Sequence, residues 1–453
     1  MEKVNTQKEK KAIIVGAGLV GSLWAVYLSR AGYKVTIYER RIDIRTTDIA
    51  AGKSINLALS TRGWKALDEV NIGDEVRKFG IPMYGRTMHD EFGNLTDQPY
   101  GKEGEAIFSI SRGLTNACMI EQAQQKGNAH ILFEHECISA DVKNGTITVK
   151  NLNTNELIHD SADILFAADG AFSAIRYKAL QKTQGFNYSQ RFIEDGYREI
   201  LLPANEDGSA KLDVNRLHIW PRGRFMLIAL ANNDNSFTCT LFMPHKGYEF
   251  SFDKLNSKEA VNKFFQTVFA DFYDMMPNIA DAWEDHPLAS LAIIRCSPWN
   301  VGKFLLIGDS AHATVPFYGQ GMNSGFEDCT VLFELMVKHN ENWDLIFEEF
   351  SNTRKADGDA LQDLSIYNYH VMRDYVADPE FLLQKKIEAK FNTLYPQKWI
   401  PLYSQVTFST IRYSEALKKG KQQDKIMKEI MKTPNIENIW DDQSIMDKIL
   451  SKI

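Results

Sequence analysis

A chain of 453 residues with 44% hydrophobic and 25% charged side chains is too long for one ordinary core and too apolar for disorder. That leaves two or three domains, or one large α/β unit with insertions. A balance of 52 Lys+Arg against 59 Asp+Glu gives a net charge of -7 with no basic stripe, so nucleic acid is excluded as the natural partner. Five scattered cysteines without a CxxC spacing argue for a reducing compartment, and the ten histidines form no HExxH pair. No metal site is expected.

The first apolar run, Ala12 to Ser29, carries no charge and follows a Lys-rich start, which is the length and setting of a membrane anchor. Its glycines at Gly16, Gly18 and Gly21 decide against that. The stretch KAIIVGAGLVGSLWAVYLSRAGYKVTIYERR reads as strand, tight turn, helix ending at Ala31-Gly32, and a second strand ending at Glu39. This is a βαβ unit with G-x-G-x-x-G at its first turn and an acidic residue about 20 positions on, the pattern of a dinucleotide site. Gly16 allows the turn, Gly18 lets backbone approach a pyrophosphate, and Gly21 lets helix pack on strand. The helix N-terminus supplies N–H donors, and Glu39 can accept from ribose hydroxyls. The unit does not distinguish FAD from NAD(P).

A second segment, ADILFAADGAFSAIR (Ala162 to Arg176), is again a strand ending in Asp169-Gly170 and leading to a helix. The runs FMLIALAN and FTCTLFMP then alternate as strands with one inward face, which carries Ile228, Leu230 and Phe242.

The stretch FLLIGDSAHATVPFYGQGMNSGFEDC (Phe304 to Cys329) has a hydrolase reading, because a strand followed by G-x-S-x-G is a nucleophile elbow. His312 stands where the last glycine belongs, so that reading fails. The better one puts Asp309 at the carboxyl end of a sheet strand, within reach of a flavin's polyol chain. The loop Pro316 to Gly321 offers backbone to a flat ring, and the next helix begins near Met322-Asn323. Its N-terminus would stabilise negative charge on a reduced flavin. His312 is expected to be a packed or hydrogen-bonding residue rather than a base.

One long helix is expected from Asp357 to Phe391, with Asn368 and Met372 on one face at i, i+4 spacing. From about residue 376 the chain reads as helical, with pairs Ile426-Met427, Ile430-Met431, Ile445-Met446 and Ile449-Leu450 between charges. Packing on protein is favoured there over a membrane surface, since no long apolar run exists.

Three cofactor segments in the order G-x-G-x-x-G, D-G, G-D resemble the class A flavin monooxygenases, the aromatic hydroxylases. More specifically, GKSINLALSTRG (Gly52 to Gly63), YGRTMHDEFGNLTDQPYG (Tyr84 to Gly101), LHIWPRGRFMLIALANNDNSFTCTLFMP (Leu217 to Pro244), PFYGQGMNSGFEDC (Pro316 to Cys329) and PLYSQVTFSTIRYSEA (Pro401 to Ala416) resemble the kynurenine 3-monooxygenase family over most of the chain. Tyr318 departs from the Phe or His that the family pattern carries.

The resemblance implies an α/β fold, with a Rossmann-like FAD-binding domain interleaved with an antiparallel-sheet substrate domain and followed by a helical C-terminal region. The FAD domain would span about 8–190 and 290–375, with a substrate-side segment about 80–110. The sheet domain would span about 191–290 and the helical region 376–453. The resemblance also implies non-covalent FAD, NADPH as co-substrate, and O2-dependent hydroxylation of L-kynurenine through a flavin C4a-hydroperoxide, with no protein acid or base. Substrate would be held by Arg86, Tyr100, Asn368, Tyr403, Ile228, Leu230, Phe242, Met372 and Phe317. FAD would be held by Gly16, Gly18, Gly21, Glu39, Arg112, Asp169, Asp309, Gly321, Met322 and Asn323. Arg86 suits a carboxylate because its planar guanidinium pairs in bidentate fashion, and Tyr100 adds a hydroxyl donor. Without the resemblance, Arg86 reads as a solvated strand residue and Ile228 and Phe242 as plain core. The expected protein is cytoplasmic, without a transmembrane segment, and compatible with a homodimer.

Overall fold

A computed structural model describes residues 9–47, 56–100, 104–375 and 378–453. Residues 1–8 of the Lys-rich start, positions 52–55 of one family stretch, Gly101 and the expected boundaries at 8 and 376 lie outside the described residues.

Six strands form the first sheet, in the order Asn300–Val301, Phe304–Leu306, Ile164–Ala167, Lys11–Val15, Lys34–Tyr38, His130–Leu132. All neighbours pair in parallel except the first two. The strands of the three cofactor segments therefore lie side by side. Their carboxyl ends run into Gly16, into Asp169-Gly170 and into Gly308-Asp309, so segments far apart in sequence open onto one crevice. The first helix, Leu19–Arg30, packs Leu23, Trp24, Val26 and Leu28 fully out of water, and ends at Gly32, whose φ of 84° suits a residue without Cβ.

The second sheet has seven strands, in the order Ala289–Ser297, Asn187–Leu202, Phe237–Pro244, Phe225–Ala231, Arg216–Arg222, Gly85–His89, Leu95–Pro99. It is antiparallel apart from the pairing of Arg216–Arg222 with Gly85–His89. Alternation gives it two faces. Trp220, Leu227, Ala229, Cys239 and Leu241 pack on Phe264, Phe265 and Phe272 of the helices Lys258–Val268 and Ala270–Met275. Ile219, Met226, Ile228 and Phe242 face the other way, toward Phe317 and Tyr369.

The expected long helix Asp357 to Phe391 is not continuous. Its first part belongs to the helix Trp343–His370, a π-helical turn covers Val371–Tyr375, and a separate helix runs Pro379–Leu394. The break follows from Asp378-Pro379: Asp378 accepts from Phe381 N at 2.9 Å as an N-cap, and a proline at the first helical position starts a helix but cannot sit inside one. Apolar residues of the C-terminal region cover one another, with Ile387, Phe391, Trp399, Ile426, Met427, Ile430, Ile445, Met446 and Ile449 forming a core of their own. No helix among the described residues is long and apolar enough to cross a membrane.

A buried ionic network joins the crevice to this C-terminal part. Asp328, on the helix Gly321–Lys338, accepts from Gly308 N at 2.9 Å, His312 Nε2 at 2.7 Å and Arg354 Nη2 at 2.9 Å. Burial pushes its pKa up, but His312 and Arg354 more than reverse that, and it lies below the usual carboxylate range. Arg354 Nη1 also donates to Glu327 at 2.8 Å, and Glu327 pairs with Arg62. Arg62 donates onward to Ile411 O and to Val406 O. Arg354→Met leaves Asp328, Glu327 and Asp357 buried together with too few cations, which costs about 3 to 5 kcal/mol; urea titration of the holoenzyme should show that loss.

Candidate active site

The crevice is built from backbone first. Gly16 has φ 104°, and a Cβ there would stand 2.5 Å from Ala168 O, so the turn and its contact with the Asp169 strand both require glycine. Gly18 differs: a Cβ would meet nothing within 4 Å, and it caps the first helix without a side-chain bond. The helix amides there are free for an anion. Glu39 closes the turn, accepting from Ala17 N at 2.8 Å through one oxygen and from Arg41 N at 2.9 Å through the other.

Asp169 Oδ2 accepts from Ala174 N at 2.7 Å, while its Oδ1 is buried with no hydrogen-bond partner. Burial raises its pKa, against the donors around it. Arg176 Nη1 donates to Ser310 O at 2.6 Å, and its Nη2 donates to Ala171 O at 2.5 Å. That guanidinium, 2% exposed, staples the D-G turn to the G-D turn. Asp309 is exposed at the mouth of its strand, and Gly308 there has φ 58°. His312 is buried, bonded to Asp328 and stacked on Trp299 with centroids 5.1 Å apart, so it is a packed hydrogen-bonding residue.

The helix Gly321–Lys338 starts one residue before its expected position, and the side chain of its N-cap residue Gln320 does not cap it, donating instead to Ser60 Oγ at 3.2 Å and accepting from Tyr413 Oη at 3.0 Å. The amides of Gly321, Met322 and Asn323 are thus those of an uncapped helix start. The Asn323 side chain is used within the protein, donating to Ala58 O and Gly319 O, each at 2.8 Å, and accepting from Ser60 N at 2.9 Å. Arg112 is exposed at the first position of the helix Arg112–Gln125. An uncapped glycine loop, an exposed Asp309, an orphaned Asp169 oxygen and a second uncapped helix start together fit a flavin dinucleotide.

Across from the crevice, Arg86 comes from the strand Gly85–His89 and Tyr100 from the residue after Leu95–Pro99. The Arg86 guanidinium carbon lies 4.3 Å from the Tyr403 ring centroid and 5.4 Å from that of Tyr100. Tyr100 stacks on Tyr403 at 5.5 Å, and Tyr403 on Tyr318 at 5.7 Å. Arg86 Nε and Tyr100 Oη are buried without a hydrogen-bond partner. Burial pushes the Tyr100 hydroxyl well above its ordinary pKa, so it is a neutral donor.

A second group is apolar. Phe317 packs on Phe242 at 4.9 Å and on Tyr369 at 4.1 Å, and Met372 joins them. Asn368 Nδ2 donates to Phe317 O at 2.7 Å and lies 3.3 Å from Met372 Sδ, so the i, i+4 pair holds although the second residue sits in the π-helical turn. Leu230 packs with Tyr100, and Ile228 touches both groups. The expected residues thus fall into a polar cluster (Arg86, Tyr100, Tyr403) and an apolar one (Phe242, Phe317, Met372, with Asn368), bridged by Ile228.

Sequence reasoning missed Arg62, Asp328 and Arg354, whose partners lie tens to hundreds of residues away, and gave Arg176 no task. The buried charge in GFEDC was the available signal for Asp328.

This arrangement defines an FAD-dependent oxygenase fold. A family described as FAD binding domain matches residues 9–356. The tetrameric form of 2-methyl-3-hydroxypyridine-5-carboxylic acid oxygenase is similar in fold, with a TM-score of 0.67 at 17% identity, covering 87% of this chain and 99% of that one. The kynurenine 3-monooxygenase of Flavobacterium psychrophilum is 49% identical over 446 residues, 98% of each chain. That of Anopheles gambiae is 40% identical over 430 residues, 94% of this chain and 87% of the relative. The chain belongs to the kynurenine 3-monooxygenase family.

Two glycine substitutions separate fold from cofactor. Gly16→Ala should lower both stability and FAD content, whereas Gly18→Ala should leave the apoprotein's melting temperature unchanged and weaken FAD binding in a fluorescence titration.

Proposed function

We propose that this protein is a cytoplasmic FAD-dependent, NADPH-consuming monooxygenase that hydroxylates L-kynurenine to 3-hydroxykynurenine. The observation that carries this reading is the spacing of the two side-chain clusters. Arg86 pairs across the sheet with Leu217, and Ile228 with Ile219, so the polar end and Ile228, the near edge of the apolar wall, lie two strands apart, about 10 Å, with Phe242 one strand further. An amino acid joined through a ketone to an aniline ring has that length and that division of polarity. The names and identities of the relatives support the same substrate.

In this reading the G-x-G-x-x-G loop with Gly16, Gly18 and Gly21 takes the pyrophosphate, Glu39 the adenosine ribose, and Asp309 the polyol chain. Arg112 and Asp169 would help hold the dinucleotide, and the amides of Gly321, Met322 and Asn323 at the helix start would stabilise negative charge on a reduced flavin. When bound, FAD supplies the activation of oxygen after reduction by NADPH. The chain's own residues do the rest. Arg86 and Tyr100 hold the carboxylate, with Tyr403 covering it, while Asn368, expected at the polar end, instead ties Phe317 into the apolar wall. Ile228, Leu230, Phe242, Met372 and Phe317 hold the ring and exclude water. The ring's amine enriches the adjacent carbon in electron density, so no protein base is assigned.

Arg86→Ala removes about 2 to 4 kcal/mol of charge-assisted bonding to the substrate. KM for L-kynurenine should rise by roughly 30-fold or more, with a smaller change in kcat; an unchanged KM would remove Arg86 from the substrate site.

A further inference from the structure

The loop that precedes the helix Gly321–Lys338 is fastened by two side chains to the turn after the strand Asn56–Leu59. Asn323 makes the first link, to Ser60 N, Ala58 O and Gly319 O, and the segments touch there: a Cβ on Gly319 would stand 3.1 Å from that of Ala58. Gln320 makes the second, donating from Nε2 to Ser60 Oγ at 3.2 Å. Ser60 is the N-cap residue of the helix Thr61–Glu69, yet its hydroxyl caps nothing there and is left for Gln320.

The second link is completed from outside the cofactor crevice. Gln320 is 2% exposed, so its carbonyl oxygen needs a donor from the protein, and that donor is Tyr413 Oη, 3.0 Å away. Tyr413 opens the helix Tyr413–Ile430 of the C-terminal region. Burial pushes its hydroxyl above its ordinary pKa, so it stays neutral and donates. Its own position does not depend on Gln320. The flanking Arg412 Nε and Ser414 N donate to Asp357 at 3.0 and 3.1 Å, and Ser414 Oγ donates there at 2.6 Å. The Arg62 guanidinium carbon lies 4.1 Å from the Tyr413 ring centroid. A fixed hydroxyl thus holds the side chain that begins an uncapped helix start.

We propose that Tyr413 is a positioning residue for the reduced flavin: through Gln320 and Ser60 it holds the amides of Gly321, Met322 and Asn323 where they stabilise negative charge. Without the hydroxyl, Gln320 Oε1 is a buried acceptor with no donor, and the side chain relieves this by leaving Ser60 and carrying the helix start with it. Oxidised FAD lacks the added negative charge and feels that shift less than reduced FAD. The inference rests on the placement of those amides beside the flavin in the reading above.

Tyr413→Phe keeps the ring under Arg62 and removes only the donor, and Ser60→Ala opens the same link from its other end. In each FAD-loaded variant the midpoint potential of the flavin, measured by dye equilibration, should fall by about 20 mV, a roughly fivefold loss of affinity for reduced over oxidised FAD. The double variant should fall no further, because both changes break one link. A residue that only supports the fold would weaken both forms of FAD alike. An unchanged potential therefore overturns the proposal, and so does a double variant in which the two falls add. Amide exchange in the apoprotein is a readout free of cofactor. Ser60 N bonds Asn323 Oδ1 at 2.9 Å and Ser324 N bonds Gln320 O at 2.8 Å. Both amides should lose protection roughly fivefold or more in the single variants, relative to the strand Phe225–Ala231. Unchanged exchange overturns the link itself. Faster exchange with an unchanged potential overturns the proposal through the placement of the flavin and leaves the link standing.

Discussion

The carboxylate of Asp328 is the point on which the site's geometry depends. Through Gly308 N it fixes the turn that presents Asp309, through His312 it fixes the segment after that turn, and through Arg354 it fixes the long helix that carries Asn368. The neighbouring Glu327 extends the same network through Arg62 to the backbone at Val406 and Ile411, beside the helix Leu402–Thr407 that bears Tyr403. A buried charge is costly unless paired on every side, and here each partner lies on a different element. The arrangement therefore tolerates one relative placement of the crevice and the C-terminal helices well, and others poorly.

Around that anchor the two sheets divide the labour. The parallel sheet ends three adjacent strands in turns that leave backbone donors and a carboxylate open to a cofactor. The seven-stranded sheet turns one face to its own helices and the other to the cleft, where the cross-strand register sets the distance from Arg86 to the apolar wall. Arg86, Ile228, Leu230 and Phe242 stand on strands and Asn368 and Tyr403 on helices, which suits a reaction in which water has to be kept out.

Much of this was legible in the sequence because the signals are local. G-x-G-x-x-G followed by Glu39, Asp169-Gly170 and Gly308-Asp309 are turn chemistry, and turns are set by adjacent residues. The alternation in Phe225–Ala231 and Phe237–Pro244 likewise identified Ile228, Leu230 and Phe242 as one face. What was not legible depends on distant partners. No local pattern tells that Arg62 reaches Glu327, that Asn323 spends its side chain on the Ser60 turn, or that Tyr413 meets Gln320. The helix through Asn368 was overextended because apolar spacing outweighed Asp378-Pro379, a local stop signal that was present. The C-terminal apolar pairs pack on protein, as expected, but largely on one another, with Met431 and Leu450 only partly buried.

The central claim is that the crevice and the Arg86 cluster together serve oxygen insertion into L-kynurenine. The most direct measurement follows NADPH oxidation by the FAD-loaded protein with and without L-kynurenine while 3-hydroxykynurenine and hydrogen peroxide are quantified in the same reaction. Faster oxidation with L-kynurenine, and 3-hydroxykynurenine formed nearly in step with NADPH lost, is the result this account predicts. Oxidation that L-kynurenine leaves unchanged, or accelerated oxidation that yields peroxide alone, would contradict it.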